Sequence, residues 1–278
     1  MCQAFSCLVL PDTSVVWRFG MDSHEDLIKL AKLKDDTTNP KKMEFCRAEI
    51  APKNDNYLAP DEWQLRIDQK LPAWWTPNHA EAAEKAHGEW MKELNKILIK
   101  KPIVHPFRDI KPPRKITKKH LDLLKAWVSV RDSAWASIKD SMKDRAGDDV
   151  GDSVRYSIWV SVRVSVEDSV WASVGDSVKD SVGDSVRNNV WTIVRDSMWD
   201  SVEDSVWAYV GSFFKLPHSA WKYTEKIEVT GYPFQSAVDL WMMGLVSSFD
   251  GETWRLHGGK NGKVLWKGNK DVLLNKEK

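Results

Sequence analysis

From Ala126 to Phe214 an apolar residue occupies every fourth position without interruption, through Val130, Ile138, Val150, Val162, Val174, Val186, Met198 and Val210 among others. The unit is Asp-Ser-Val-x, with the fourth place filled mostly by Trp, Arg, Lys, Gly or Glu. On an α-helix a spacing of four advances the apolar stripe by about 40° per unit, so the stripe circles the helix in about nine units and meets no ordinary partner. Ser, Asp, Val and Gly are weak helix formers, and Val favours extended backbone. The pattern therefore predicts a β-solenoid of stacked coils, each burying its apolar residues against the next at a layer spacing of about 4.8 Å.

Such a stack sorts the variable positions into columns. Three tetrads per coil align Trp135, Trp159, Trp171 and Trp207, whereas four align Trp127, Trp159, Trp191 and Trp207, with Asp152, Asp168, Asp184 and Asp200 as an acidic ladder. Both registers segregate side chains, and the longer coil gives the less cramped core. The Trp column and the acidic ladder form a candidate binding surface; a Trp ladder packing on itself is the alternative.

The flanks have other periods. Residues 4–10 and 15–19 are apolar and β-branched around Pro11-Asp12-Thr13-Ser14, which predicts a hairpin. Ser23 with Asp26 reads as a variant capping box before a short helix carrying Leu27, Ile28 and Leu30. Two further strands are expected over 43–50 and 62–67. Thr76-Pro77 opens a helix with Ala83, Ala86, Trp90 and Leu94 on one stripe. Thr117 caps another short helix. Beyond Phe214 bulkier apolar residues predict an end cap: a helix over 234–246, then a hairpin at Asn261-Gly262 between Trp254-Arg255-Leu256 and Val264-Leu265-Trp266. The expected fold is thus mainly β, with an N-terminal α/β domain and linker over 1–115, the solenoid over 116–214 and an α+β cap over 215–278.

Between Lys96 and His120 nine basic residues face only Asp109, and Pro102, Pro106, Pro112 and Pro113 stiffen the middle. Lys100, Lys101, Arg108, Lys111, Arg114 and Lys115 are candidate contacts for phosphate or another anion. The other reading is a solvated connector, since only Phe107 interrupts the polar run. Over the whole chain 41 basic residues nearly balance 40 acidic ones, so no global field selects nucleic acid or membrane. The tetrads hold fifteen acidic and nine basic residues, about −6, which leaves the flanks about +7.

Three cysteines without CxxC spacing predict free thiols in a reducing compartment, and no stretch approaches the length of a membrane span or a signal peptide. The seven histidines form no metal-binding pattern, so neither metal nor cofactor is expected. The loop from His257 to Lys263 lacks the spacing of a phosphate-binding P-loop and reads as a hairpin turn. One arrangement has a sharp chemical reading: removal of Met1 leaves Cys2 with a thiol beside its own amine, the pairing of N-terminal nucleophile hydrolases. Gly20-Met21-Asp22-Ser23 weakly resembles the Arg-Gly-x-Asp-Ser stretch of class II glutamine amidotransferases, with Phe19 in place of the arginine.

The opening MCQAFSCLVL, the DSVW, DSVR and DSVG tetrads, and the closing YPFQSAVDLW with SFDGETWRLHGG resemble uncharacterised tetrad-repeat proteins of bacteria and their phages. More distantly the repeat resembles pentapeptide-repeat proteins, some of which imitate DNA; here the period is four and interleaved Arg and Lys dilute the acidic face. The resemblance implies a bacterial cytoplasmic setting and a phage-encoded host-interaction factor. The leading expectation is a non-enzymatic interaction or scaffold protein with a protein partner and no membrane. The alternatives are a Cys2 hydrolase and anion or nucleic-acid binding through 96–120.

Overall fold

The computed structural model describes residues 5–35, 39–52, 62–67, 69–146, 161–174, 182–183, 186 and 199–273. The chain divides into two compact units, Met1–Lys100 with Val170–Ser185 and Lys101–Ser169 with Val186–Lys278.

In the first unit, β1 (Phe5–Val9) forms a hairpin with β2 (Val15–Val16) and pairs on its other edge with β3 (Cys46–Ala51), which carries β4 (Gln64–Arg66). All pairings are antiparallel. The hairpin closes where Pro11 to Ser14 predict it: Asp12 accepts from the Ser14 amide and hydroxyl, and Thr13 takes a left-handed φ of 68°. Alternate residues of β1 face opposite ways. Leu8 packs with Phe45 and with Leu27 and Ile28 of α1 (His24–Ala31), whose first turn is capped by Ser23 accepting from Asp26 N–H at 3.3 Å. Phe5 meets Trp90 and His87 of α2 (Pro77–Ile97), and Trp63 completes that aromatic cluster. His87 packs against both indoles in a three-ring cluster with its Nε2 unpartnered, and burial pushes its pKa down to about 4.

The tetrad tract is where the structure departs most from expectation. Its described parts are helical: α3 (Lys118–Ala146), α4 (Ser161–Val174) and α5 (Trp199–Gly211). Among the described residues there is no solenoid, and the fold is mixed helix and antiparallel sheet in place of mainly β. The objection from period fails because α4 and α5 are short. Val162, Val166 and Val170 on α4, and Val202, Val206 and Val210 on α5, are each two steps of about 40° apart from first to last, within the width of an ordinary apolar face. Propensity is overridden by burial, at about 1.5–3 kcal/mol per fully buried apolar side chain.

The serine of the tetrad is buried beside its valine. Ser165 and Ser169 are fully enclosed, and Ser205 and Ser137 nearly so. Three of the four hydroxyls find partners: Ser165 donates to the Lys222 carbonyl, Ser169 accepts from Lys222 N–H at 2.7 Å and donates to the Ser165 carbonyl at 2.6 Å, and Ser205 meets Ser247 at 3.0 Å, whereas the Ser137 hydroxyl is buried without one. A small hydroxylated residue at that position satisfies itself where a larger polar one would be stranded.

Carboxyl-terminal to α5, a short α6 (Gln235–Trp241) leads into a three-stranded antiparallel meander, β5 (Leu245–Phe249), β6 (Thr253–Gly258) and β7 (Lys263–Asn269), followed by α7 (Lys270–Leu273). The expected helix over 234–246 is shorter because Gly244 turns left-handed (φ 71°) and releases the chain into β5. The expected hairpin is present with a four-residue loop, Gly259 to Gly262, in which Gly259, Asn261 and Gly262 all have positive φ. Asp250 shapes the β5–β6 turn. Its carboxylate accepts from the Thr253 and Glu252 amides and pairs with Arg255, which holds its pKa at about 2.

Candidate functional site

The Trp column does not form among the described residues. Trp127 and Trp207 are each 1% exposed. Trp127 meets the edge of Phe234, and Trp207 lies under Arg163 while its Nε1–H points at Glu203 (3.4 Å). These two are core residues and offer no exposed surface. Asp168 and Asp200 fall within α4 and α5, not on stacked coils. Trp159, Trp191, Asp152, Asp184 and Cys2 lie outside the described residues.

The basic segment behaves differently along its length. Residues 101–112 run against the second unit as a strap. Val104 donates its N–H to the Tyr209 hydroxyl (2.9 Å), and its carbonyl accepts from Trp241 Nε1 (2.8 Å). A Cβ on Gly244 would stand 3.1 Å from Ile110 and 3.2 Å from the Pro106 carbonyl; one on Gly258 would stand 3.1 Å from Pro112, and one on Gly259 3.4 Å from it. Gly244 and Gly258 leave room for the strap, and a Cβ on Gly259 would make ordinary contact with it.

This packing separates the six candidate cations. Lys101 turns inward: its Nζ donates to Ser212 Oγ (2.7 Å) and sits 4.6 Å above the Phe213 ring, where burial pushes its pKa down to about 8. It lies just beyond the C-terminal end of α5, where a cation complements the helix dipole. Arg108 is tied to Asp109. Lys100 is exposed and belongs to the first unit. Lys111, Arg114 and Lys115 are exposed, and no carboxylate pairs with them among the described residues.

The strap brings those three beside a second basic element. Pro112 touches Gly258 and Gly259, and the loop that follows carries Lys260 and, at the start of β7, Lys263. Both are exposed and unpaired among the described residues. The approach of Pro112 to Gly258 and Gly259 thus brings together two basic stretches about 150 residues apart in sequence, the one around Lys111 and the loop that carries Lys260. Lys111, Arg114 and Lys115 form a cluster visible in the sequence, where the loop reads only as a turn. The loop is a turn, and its lysines matter because of where the strap lies.

Two other constellations stand outside this surface. The Gly262 carbonyl can only accept, so His257 carries its hydrogen on Nδ1 (3.1 Å) and its Nε2 accepts from Ser248 Oγ at 2.7 Å. That is the order of nucleophile, base and orienting group. Ser248 and His257 are 4% and 3% exposed, however, which closes the pair to substrate and leaves it as a clasp between β5, β6 and the loop. In the first unit an open groove between the β1–β2 hairpin and α2 is walled by Trp17, Glu81, Lys85 and Glu89. Its charges alternate in sign along one helix face, as on a solvated surface. Among the described residues no cluster of His, Cys, Asp or Glu has metal-binding geometry, and no helix is long and apolar enough to cross a membrane.

Comparison with protein-family models, with curated proteins and with solved structures returned no match.

Proposed function

We propose that this chain is a non-enzymatic interaction protein whose working surface is the basic end of the second unit, and that it binds an anionic partner there. The observation that carries the reading is the close approach of Pro112 to Gly258 and Gly259, from which we infer that Lys111, Arg114 and Lys115 gather near Lys260 and Lys263. Unpaired exposed lysines on a rigid frame attract anions at little ordering cost, because the strap is held by Tyr209, Trp241 and the close glycines. The bacterial cytoplasm is the proposed setting; the buried free thiols of Cys7 and Cys46 suit a reducing compartment.

The test is retention on immobilised heparin, a sulfated polyanion. Full-length protein is expected to elute at clearly higher salt than a variant with Lys111, Arg114, Lys115, Lys260 and Lys263 all changed to Gln. Coincident elution of the two overturns the reading.

A further inference from the structure

We infer that the partner is nucleic acid, gripped by its phosphodiester backbone across both the strap and the β6–β7 loop. This rests on the anion-binding reading above and commits it to one class of ligand.

The arrangement of charge favours a polymer over a small phosphate. The five cations are exposed and spread over two segments, whereas a phosphorylated metabolite calls for convergent groups in a concave pocket. Two consecutive prolines at Pro112 and Pro113 stiffen the strap between Lys111 and Arg114, and an extended proline segment has about three residues per turn and about 3.1 Å of rise per residue. Lys111 and Arg114 flank the two prolines and so stand about 9 Å apart along the chain, a spacing that follows a charged backbone better than a single ion.

The loop supplies the second contact. Its tip, Gly259-Lys260-Asn261-Gly262, has two residues without side chains, so a phosphate can approach the chain closely while Lys260 and Lys263 supply the charge. The same tip argues against a bilayer, because it holds no apolar side chain to enter one. The exposed apolar pair nearby, Val264 and Leu265, lies behind the tip on β7, with Leu265 folded over Gly258. No aromatic residue lies between the cations of either segment, so the grip is on phosphates and carries no base preference.

The experiment measures anisotropy of fluorescein-labelled 20-base-pair duplexes of two unrelated sequences, titrated with full-length protein from low to moderate sodium chloride. Five phosphate contacts give a slope of log K against log salt of about −4.5. The Lys260→Gln/Lys263→Gln variant is expected to fall to about −2.7, and the Lys111→Gln/Arg114→Gln/Lys115→Gln variant to about −1.8. The two sequences should bind within about threefold of each other.

A slope unchanged in either variant overturns the two-segment grip, and a tenfold preference between the sequences overturns backbone recognition. Parallel arms use phosphatidylserine vesicles and heparin. Vesicle capture without duplex binding, or heparin binding alone, sinks the nucleic-acid inference and leaves the anion-binding reading standing. Failure of every arm removes both.

Discussion

Arg131 on α3 donates through Nε to the carboxylate of Asp204 on α5, and the two side chains are only 11% and 9% exposed. The guanidinium also lies 5.6 Å from the Phe249 ring centre and 5.5 Å from that of Trp254, while the second Asp204 oxygen accepts from the Val162 amide at the start of α4. One ion pair therefore touches three tetrad helices and the meander. Burial raises the Asp204 pKa against the pull of Arg131. Arg131→Met should cost about 3–5 kcal/mol in chemical denaturation, because it strands a buried carboxylate. The double variant Arg131→Met/Asp204→Leu should recover most of that loss. A double variant as unstable as the single one would show that the arginine acts through packing alone.

The two long N-terminal helix starts use the same device. Thr76 and Thr117 each donate their backbone N–H to Nδ1 of the histidine three residues on, His79 at 3.0 Å and His120 at 2.9 Å. Histidine here takes the place that Glu or Gln holds in the usual capping box. His120→Ala should lower stability by about 1 kcal/mol, while His120→Gln, which keeps an acceptor, should lose less than half of that. Equal losses from the two substitutions would argue that ring packing sets the cost.

Lys101 gives a pH signature with a defined sign. Its pKa falls from 10.5 to about 8 on folding, with burial as the cause. The unfolded chain therefore binds the extra proton between those values, and stability rises with pH from about 8 towards 10.5. Lys101→Met removes that dependence, so the difference in melting temperature between the two proteins should shift in favour of the wild type across this window. A constant difference refutes the assignment.

Ser248 should not react with a fluorophosphonate probe in the folded protein, despite its hydrogen bond to a neutral His257. Intact-mass spectrometry showing one stoichiometric adduct, lost in Ser248→Ala, would reopen the enzymatic reading.

Much of the flanking structure was legible because its signals are local. Pro11 to Ser14 specify a turn, Ser23 and Thr76 specify helix starts, and Trp254 to Trp266 specify a hairpin, each within a few residues. The tetrads misled because the argument from a drifting stripe assumes one long helix, and Val and Ser propensities point away from any helix at all. What decided the outcome is tertiary: Ser169 is buried and hydrogen-bonded to Lys222, more than fifty residues away, and Val166 is buried near Gly211, 45 residues away. The basic surface was half legible for the same reason. Lys111, Arg114 and Lys115 announce themselves as a cluster, but nothing in the sequence near Lys260 says that Pro112 will lie against Gly259.

The mismatch between four and 3.6 has a consequence for copy number. Adding one whole tetrad to a helix turns everything after it by about 40° and advances it by about 6 Å, whereas adding one residue turns it by about 100° and takes the later valines off the face of the earlier ones. A tract written in tetrads can therefore lengthen or shorten by slippage of whole units and still offer each helix a usable face. Insertions of one or two residues, which turn the helix by about 100° and 200°, lack that tolerance.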